Sequence, residues 1–585
     1  MNVSPRRCFV AVSCAPLPAK CFIAYVEGQF MSQGAYFELG DLSFPITTSS
    51  APAQLWFDRG LSWIYGFNQD EAVCCFRRAA EFDAQCAMAY WGEAYACGPF
   101  YNMPWEQFGE HEAREATGIC FRAAQKALGL ATRVSAVEKA LIGALSQRFP
   151  LDHPISLDVF SGWEDDYANA MRDVYAEFPE MADVIALTAE ALMTRTPWKL
   201  WDVATATPAC GSHTLEVIDM LEMGLSLPVN QTQGTHIGLA HMYIHALEMS
   251  PTPEKALKWA DALTDRSPDN GHLQHMPSHI YVLCGLYEEA ITVSDRAIAA
   301  DTKYLDYAGA FNFYSVNRCH ALHMKMHASM LCGHFADALN AADALVDMLP
   351  ENLLRIDKPF MAMTLEAYYS SHWHVLVRFG KWRQIIDTPL PTDQALYRVT
   401  TALGHYARGV AYSAIGDVAG ASAVQTEFRE AVSRVPLDRI MGNNPVAAVL
   451  AIADAMLTGE LRYRQADYEA AFTSLREAVV LNDALAFSEP WPWMHPPRHA
   501  LGALLLERGA VQEAMLVYRA DLGLDTTLSR CCTHPDNVWS LHGYVECLRS
   551  VGDCNELPIM LQRLSVAVAR ADVPVVASCC CRTGH

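Results

Sequence analysis

The stretch QLWFDRGLSWIYGFNQDEAVCCFRRAAEFDAQC, residues 54–86, gives the clearest indication of the fold. Its apolar residues recur at spacings of three and four, which predicts two amphipathic helices joined by a turn. Small residues let two antiparallel helices approach each other, and aromatic residues fill the space between them. Counted from Ala53, repeat positions 4, 8, 11, 20, 24 and 27 hold Trp56, Gly60, Trp63, Ala72, Phe76 and Ala79.

The same register recurs further along the chain, which identifies the pattern as a tetratricopeptide (TPR) repeat of 34 residues. Two weaker units are indicated at 181–193 and 378–386. We therefore predict an all-α fold, a TPR-like solenoid of helical hairpins wound into a right-handed superhelix. The clear later units start at Ile237, Gly271, Cys319, Ala402, Ile452 and His495.

The repeats define the expected domain boundaries. Residues 36–570 are predicted to form a single TPR-like solenoid, preceded by a disordered N-terminal extension at 1–35. The last residues, 571–585, include the run SCCCRTGH and are predicted to be a disordered cysteine-rich tail. Segments rich in Pro, Gly, Ser and Thr, such as VATATPACGS (203–212) and SEPWPWMHPP (488–497), are interpreted as loops between repeats.

Composition excludes several classes of partner. The net charge of −23 argues against nucleic acid, whose binding depends on Lys and Arg neutralising phosphates. No run of 18 apolar residues is present, so we expect no membrane partner. The 19 cysteines are scattered without a CxxC pair. We interpret most of them as small core residues of a cytoplasmic protein and expect no secretion.

Histidines occupy matching positions in three successive repeats. At about 100° per residue, positions 2, 5 and 9 cluster near 160°, whereas the packing positions 4, 8 and 11 cluster near 45°. The histidine stripe is therefore expected to line the concave groove, the surface with which solenoids bind ligands. Its members are His241 and His245 in the second unit, His272, His275 and His279 in the third, and His320, His323 and His327 in the fourth.

These eight histidines are predicted to be metal ligands. Neutral imidazole binds zinc, copper and iron, so the cofactor is expected to be a divalent transition metal. A set of three histidines leaves a coordination position open, as in catalytic sites. The 34-residue spacing pairs His241 with His275 and His245 with His279. A metal-free polar pocket and purely structural histidines are the alternatives.

Glu248 lies at position 12, one helical turn beyond His245. It is the candidate catalytic residue, as a general base. The same position also suits a metal ligand or an acceptor for an imidazole N–H. The motifs GxSxG, GxxxxGK[ST], GxGxxG and HExxH are absent, so the sequence does not match the common serine, phosphate-binding or zincin templates.

The blocks YIHALE (243–248) and HMPSHIY (275–281) go beyond the generic repeat pattern. With EPWPWMHPPRHALGALLLERG (489–509), they make residues 36–550 resemble a group of long TPR domain proteins found in bacteria and fungi. The chain departs from that group at Ala321, where the group has Asn, and at His542, where a bulky apolar residue is usual. The resemblance implies the fold and the histidine blocks but no particular reaction.

Two functional hypotheses follow. In the first, the groove binds a transition metal that acts on a small-molecule substrate. In the second, the protein is a metal-free TPR scaffold that binds a peptide or a partner protein through the same groove. The sequence leaves open whether the protein is an enzyme.

Overall fold

The computed structural model describes residues 36–228, 230, 234–356 and 359–582. Backbone contacts divide the chain into two units, Met1–Glu38 and Leu39–His585. The described part of the first unit, residues 36–38, contains no helix or strand. The predicted N-terminal extension at 1–35 lies outside the described residues.

The second unit is built from helices, and the predicted all-α solenoid of helical hairpins is confirmed. Consecutive helices pack as antiparallel pairs, beginning with α1 against α2. Up to residue 308, the α-helices of the described residues are α1 Ala51–Tyr65, α2 Gln69–Phe82, α3 Ala87–Ala96, α4 Glu110–Leu130, α5 Ala136–Arg148, α6 Val159–Glu177, α7 Ala182–Met193, α8 Thr214–Ser226, α9 Ile237–Leu247, α10 Leu257–Leu263, α11 Gly271–His275, α12 Pro277–Leu283 and α13 Tyr287–Ala308.

The second half continues the helical pairs and ends in α27. Its helices are α14 Ser315–Cys332, α15 Phe335–Met348, α16 Glu351–Leu354, α17 Pro359–Tyr368, α18 Ser371–Arg378, α19 Trp382–Asp387, α20 Arg398–Ala414, α21 Val418–Ser433, α22 Val446–Arg464, α23 Tyr468–Asp483, α24 Pro497–Glu507, α25 Val511–Asp521, α26 Val538–Val551 and α27 Leu557–Arg570. Two short antiparallel ribbons pair β1 Trp201–Asp202 with β2 Thr207–Pro208, and β3 Ile440–Met441 with β4 Asn444–Pro445.

Glycines at position 8 make room for the aromatic side chain at position 24. Phe76 is wholly buried between Gly60 of its own hairpin and Gly92 of the next. A Cβ atom on Gly60 would lie 2.7 Å from the Phe76 ring, and one on Gly92 would lie 2.3 Å from it. Tyr518 repeats this arrangement late in the chain, between Gly502 and Gly543. These wedges stack successive hairpins and fix their spacing.

Substituting Gly60 by Ala is therefore expected to destabilise the solenoid. The added methyl group meets a ring that is clamped on its other side by Gly92, so the cost is about 1–3 kcal/mol of overpacking. Gly162→Ala in α6 is the matched control, because nothing lies within 4 Å of its Cβ position. The control should be neutral or stabilising. Urea unfolding of both variants measures the difference in stability. Equal stabilities would contradict the tight packing of Phe76 between Gly60 and Gly92.

The C-terminal half packs against the histidine-bearing helices. The indole N–H of Trp539 donates to the Met330 carbonyl at 2.7 Å, and the Tyr287 hydroxyl donates to the Pro535 carbonyl at 2.8 Å. The segment 488–497, predicted as a loop between repeats, is a loop, and most of it is buried. Contacts of this kind enclose the histidine stripe, which the sequence had placed on an open groove.

The C-terminal tail differs from the predicted disordered segment. Residues 571–582 are described, and the side chains of Ala577, Ser578 and Cys581 are buried. Ser578 is held by the hydroxyl of Tyr518 at 2.6 Å, and its carbonyl accepts from Arg378 at 2.7 Å. Small side chains and backbone carbonyls let this segment fit closely against the solenoid. Among the described residues, no helix combines the length and the apolar character that membrane crossing requires.

Candidate metal centre

Three imidazoles from two neighbouring hairpins form the first histidine triad. His241 and His245 lie on α9, and His272 lies on α11. The Nε2 atoms of His241 and His272 are 3.1 Å apart, and each of the three rings offers a nitrogen within 4.8 Å of the others. Each side chain is 2% exposed or less. The triad is therefore an enclosed set of potential nitrogen ligands.

A second triad lies beside the first. It combines His275 on α11, His279 on α12 and His320 on α14. The Nε2 atom of His279 lies 2.7 Å from that of His275 and 3.1 Å from that of His320. His275 and His279 are buried, and His320 is half-buried.

The two triads are neighbours that share the same small volume. The rings of His245 and His279 are 5.7 Å apart between centroids, and those of His272 and His275 are 6.2 Å apart. The site therefore has room for two ligand sets side by side, each with its own converging nitrogens.

Both triads follow one rule of repeat geometry. Each combines positions 5 and 9 of one unit with position 2 of the next. The sequence spacing predicted the pairing of His241 with His275 and of His245 with His279. The structure brings His245 and His279 together in a further grouping with Glu248. It also pairs the rings diagonally, because position 2 begins the next first helix and reaches back towards the preceding one.

A break in the helix helps to form the second triad. The chain runs from α11 to α12 through Met276, and Pro277 opens α12. Proline provides no backbone N–H, so it suits a first helical turn. Asn270 fixes the other end of α11: its side-chain oxygen accepts from the Leu273 N–H, and its amide donates to the Ser62 carbonyl at 3.2 Å. The histidines of α11 are thus anchored to α1.

His323 and His327, the other two predicted ligands, lie further along α14 and outside both triads. His323 packs edge-on against Tyr368 at 5.1 Å, and His327 lies 6.1 Å from the ring of His534. Both are buried. Within the described residues, neither joins a group of three ligand atoms close enough to share an ion. A triad needs a histidine at position 2 of the following repeat, and the repeat after His323 and His327 has none.

Hydrogen bonds hold several outward nitrogens of the triads, although Nδ1 of His272 has no partner among the described residues. Nδ1 of His241 lies 2.6 Å from the Tyr65 carbonyl, which can only accept, so this nitrogen carries the hydrogen and Nε2 carries the lone pair. Nδ1 of His275 lies 3.3 Å from the Ser278 hydroxyl. Metal-binding histidines typically make such a second bond, which fixes both the tautomer and the ring orientation.

Glu248 links the two triads. Its Oε1 lies 3.0 Å from Nδ1 of His245, and its Oε2 lies 2.8 Å from Nδ1 of His279. The carboxylate is fully buried, and burial and then the nearby Glu489 carboxylate hold its pKa well above the usual range. In the described part of the chain, its ion-pair partners are histidines alone. A metal cation bound by these imidazoles would provide a positively charged neighbour for the carboxylate.

Glu489 completes the surroundings of the second triad. One of its carboxylate oxygens lies 2.6 Å from Nδ1 of His279, and its backbone bonds to His320. It belongs to the buried segment 488–497, 210 positions beyond His279. Sequence reasoning missed this residue, since the only local signal is an acidic residue among tryptophans and prolines.

An aromatic wall borders the first triad. The Phe67 ring lies 4.4 Å from that of His241 and 5.2 Å from that of His272. The rings of Tyr101 and Trp198 lie 5.0 Å and 5.6 Å from that of His245. Phe67 follows α1 with a φ of 53°, a backbone conformation that is rare for a bulky residue. The wall excludes water and strengthens electrostatic interactions within the site.

Burial keeps five of the triad imidazoles neutral. It lowers the pKa of His241 to about 3, and it lowers the pKa of His245, His272, His275 and His320 well below the usual value. Repulsion between neighbouring histidines adds to the effect. Neutral imidazole is the form that binds metal, so these rings could accept an ion without first losing a proton.

The same burial predicts that acid destabilises the metal-free protein. The pKa of His323 is lowered by burial to about 3 and that of His374 to about 4, whereas unfolded histidine titrates near 6.5. Below pH 6.5 the unfolded state binds protons that the folded state does not, so stability falls with pH. At pH 5.5 each such histidine lowers the free energy of unfolding by about 1.4 kcal/mol.

Urea unfolding in EDTA at pH 7.5 and pH 5.5 measures this loss. With His241 included, three histidines lower the free energy of unfolding by about 4 kcal/mol between pH 7.5 and pH 5.5. This loss is a large part of the stability of a typical domain. Unfolding midpoints that do not change between the two pH values would show that these rings are hydrated in solution.

The inner distances are a little shorter than those between two nitrogens that bind one ion. Two imidazole nitrogens on one tetrahedral metal, each at about 2.0–2.1 Å, are about 3.4 Å apart. The facing Nε2 pairs, at 2.7–3.1 Å, are slightly closer than that. Facing lone pairs repel each other unless a proton or a cation lies between them. A third grouping of His245, Glu248 and His279 uses Nδ1 atoms that are already hydrogen-bonded to the carboxylate.

A cavity reaches the second triad. Its wall includes His279 and Glu489 together with His327, Trp491 and His534. Three imidazoles, a carboxylate and an indole give this wall both polar and flat apolar surfaces. Such a mixture is typical of small-molecule sites, in which a few polar groups orient a ligand held by apolar contacts.

Comparison with protein-family models finds no match to this chain, and neither does comparison with curated proteins. Among solved structures, the Cut9-Hcn1 hetero-tetramer of the APC/C matches with 13% identity over 88% of this chain and 76% of the other, at a TM-score of 0.28. The human IFIT1 dimer with m7Gppp-AAAA matches with 12% identity over 90% and 91%, at a TM-score of 0.30. At such scores the likeness has no bearing on function, and the fold assignment rests on the helix pairs themselves.

Proposed function

We propose that this solenoid is a metalloprotein that binds two divalent transition metal ions, one in each histidine triad, and acts on a small molecule. One observation carries the proposal. In both triads imidazole nitrogens face one another at the centre, while opposite nitrogens are held by Tyr65, Ser278 and Glu248. Without an ion, each facing pair needs one ring to carry its hydrogen on Nε2 and donate to the other. A metal ion would instead use the lone pairs of all three rings of a triad at once.

The ligand chemistry favours zinc, copper(II) or iron. Imidazole binds all three, and geometry and availability choose among them. No thiolate belongs to either triad, which disfavours copper(I) and iron–sulfur chemistry. Three protein ligands leave a position for water or substrate, and a metal bound there would polarise a carbonyl group or activate water.

The protein side chains have separable roles in this proposal. Glu248 orients one ring of each triad, and its burial between them suits a positioning residue better than a general base. Glu489 borders both the second triad and the cavity, so it is the better candidate for a proton acceptor near a bound substrate. The aromatic wall around His245 excludes water from the first triad.

The metal-free scaffold is the alternative outcome of the test. A peptide in the groove would have to displace Glu489 before reaching the second triad, because this residue lies against His279 and His320. The decisive experiment measures metal in protein purified without a His-tag or a nickel column. About two equivalents of zinc, copper or iron, with a melting temperature that falls on chelation, would support the metalloprotein. Metal-free protein whose melting temperature does not respond to added metal would favour the scaffold.

A further inference from the structure

The docked C-terminal tail brings two thiols to a buried carboxylate. Cys579 and Cys581 lie on the tail, and Glu460 lies on α22. One ligand atom of each residue lies within 4.8 Å of the other two. Glu460 and Cys581 are 2% exposed or less, and Cys579 is half-buried. These residues are separated from the histidine triads in sequence and share no member with them.

The Glu460 side chain points to a missing ligand. Its Oε2 atom is buried and has no hydrogen-bond partner in the described part of the chain. A buried carboxylate oxygen without a partner carries a desolvation cost that a bound cation would remove. The carboxylate also lines a cavity whose wall includes Cys579, Cys581 and His495. The Glu460 side chain also bonds to the Cys581 thiol, so the carboxyl group and one of the two sulfurs already meet.

The backbone of the tail is fixed so that the thiols meet Glu460. Arg464, one turn beyond Glu460 on α22, donates to the Cys581 carbonyl, and Arg378 donates to the Ser578 carbonyl at 2.7 Å. The Cys581 N–H donates to the sulfur of Cys579 at 3.2 Å. Backbone N–H bonds to a sulfur stabilise it as a thiolate, the form that binds metal.

We propose that Glu460, Cys579 and Cys581 bind a zinc ion that fastens the C-terminal tail to the solenoid. Two thiolates and a carboxylate carry three negative charges, one more than the divalent ion offsets. Arg464 lies close enough to Glu460 and Cys581 for charge attraction to compensate the remainder. Thiolate and carboxylate ligands in a four-coordinate site suit zinc, with water or His495 as the source of a fourth ligand.

Cys580 is the natural control. It lies between the two proposed ligands in sequence, but its thiol is directed to the Arg378 carbonyl at 3.6 Å. Serine at this position should therefore leave zinc binding intact. Serine at both Cys579 and Cys581 should abolish it, and Glu460→Gln should weaken it while keeping the shape of the side chain.

Cobalt(II) substitution under a non-thiol reductant tests the proposal on the full chain. Thiolate-bound cobalt gives near-ultraviolet charge-transfer absorption that imidazole ligands do not give, so the result is independent of the triads. The absorption should appear in the wild type and in Cys580→Ser, and it should be lost in the Cys579→Ser, Cys581→Ser variant. Zinc should also slow alkylation of Cys579 and Cys581 relative to Cys580.

Two results would overturn the tail site. One is wild-type protein that binds cobalt without the thiolate absorption, which would leave the histidine triads unaffected. The other is equal loss of the absorption in the Cys580→Ser variant. Circular dichroism of each variant shows that the solenoid remains folded, since the tail contributes little helix.

Discussion

Replacing His241 and His272 by alanine should remove about one metal equivalent, and replacing His275 and His320 should remove the other. Each pair supplies two of the three nitrogens of one triad. A single remaining imidazole does not hold a zinc, copper or iron ion against chelators, since stable sites use three or four ligands. Metal analysis of each variant, with the wild type as reference, measures the stoichiometry.

The control for this prediction distinguishes the ligand set given by the structure from the set given by repeat positions alone. His323 and His327 occupy the same repeat positions as His241 and His245, so the sequence ranks them as ligands. The structure leaves them outside both triads. The His323→Ala, His327→Ala variant should therefore keep both metal equivalents. Loss of metal from this variant, or equal losses from all three, would contradict the diagonal pairing.

Replacing Glu248 by glutamine should weaken both sites together. The carboxylate receives one imidazole N–H from each triad, whereas the glutamine amide has only one oxygen to accept with. One ring then faces an NH₂ donor and turns away from its metal. Loss of such a supporting bond costs about 10–100-fold in metal affinity. Competition with a chromophoric chelator measures the affinity of each site.

Two further variants make this prediction specific. Glu366→Gln is the matched control, because Glu366 is also fully buried but accepts from Val399 and Thr400 rather than from histidines. It should leave metal affinity unchanged. Glu489→Gln should weaken the second site only, since the Glu489 side chain contacts His279, whereas His320 bonds to its backbone. Unchanged affinity in Glu248→Gln would show that the carboxylate has no part in orienting the rings.

Much of the fold could be predicted from the sequence, because TPR packing is local. The wedge of Phe76 between Gly60 and Gly92 involves adjacent hairpins, so a fixed period in the sequence carries it. The histidine stripe was visible for the same reason, since positions 5 and 9 lie on one helix face.

The remaining features depend on contacts between distant segments. Glu489 contacts His279 only in the folded chain, and the 34-residue repeat period does not relate the two positions. The partner of His241 is the carbonyl of Tyr65, a backbone atom that side-chain patterns do not reveal. Enclosure of the groove was missed because the concave surface was treated as open, whereas the segment 488–497 fills it.

The most direct test is anomalous diffraction from crystals of metal-loaded protein, recorded at the absorption edge of the bound metal. We expect one peak within each triad, at about 2.0–2.1 Å from its Nε2 atoms. Glu248 should remain bonded to His245 and His279. Crystals grown with excess zinc, copper or iron that show no peak between the six rings would contradict the metalloprotein.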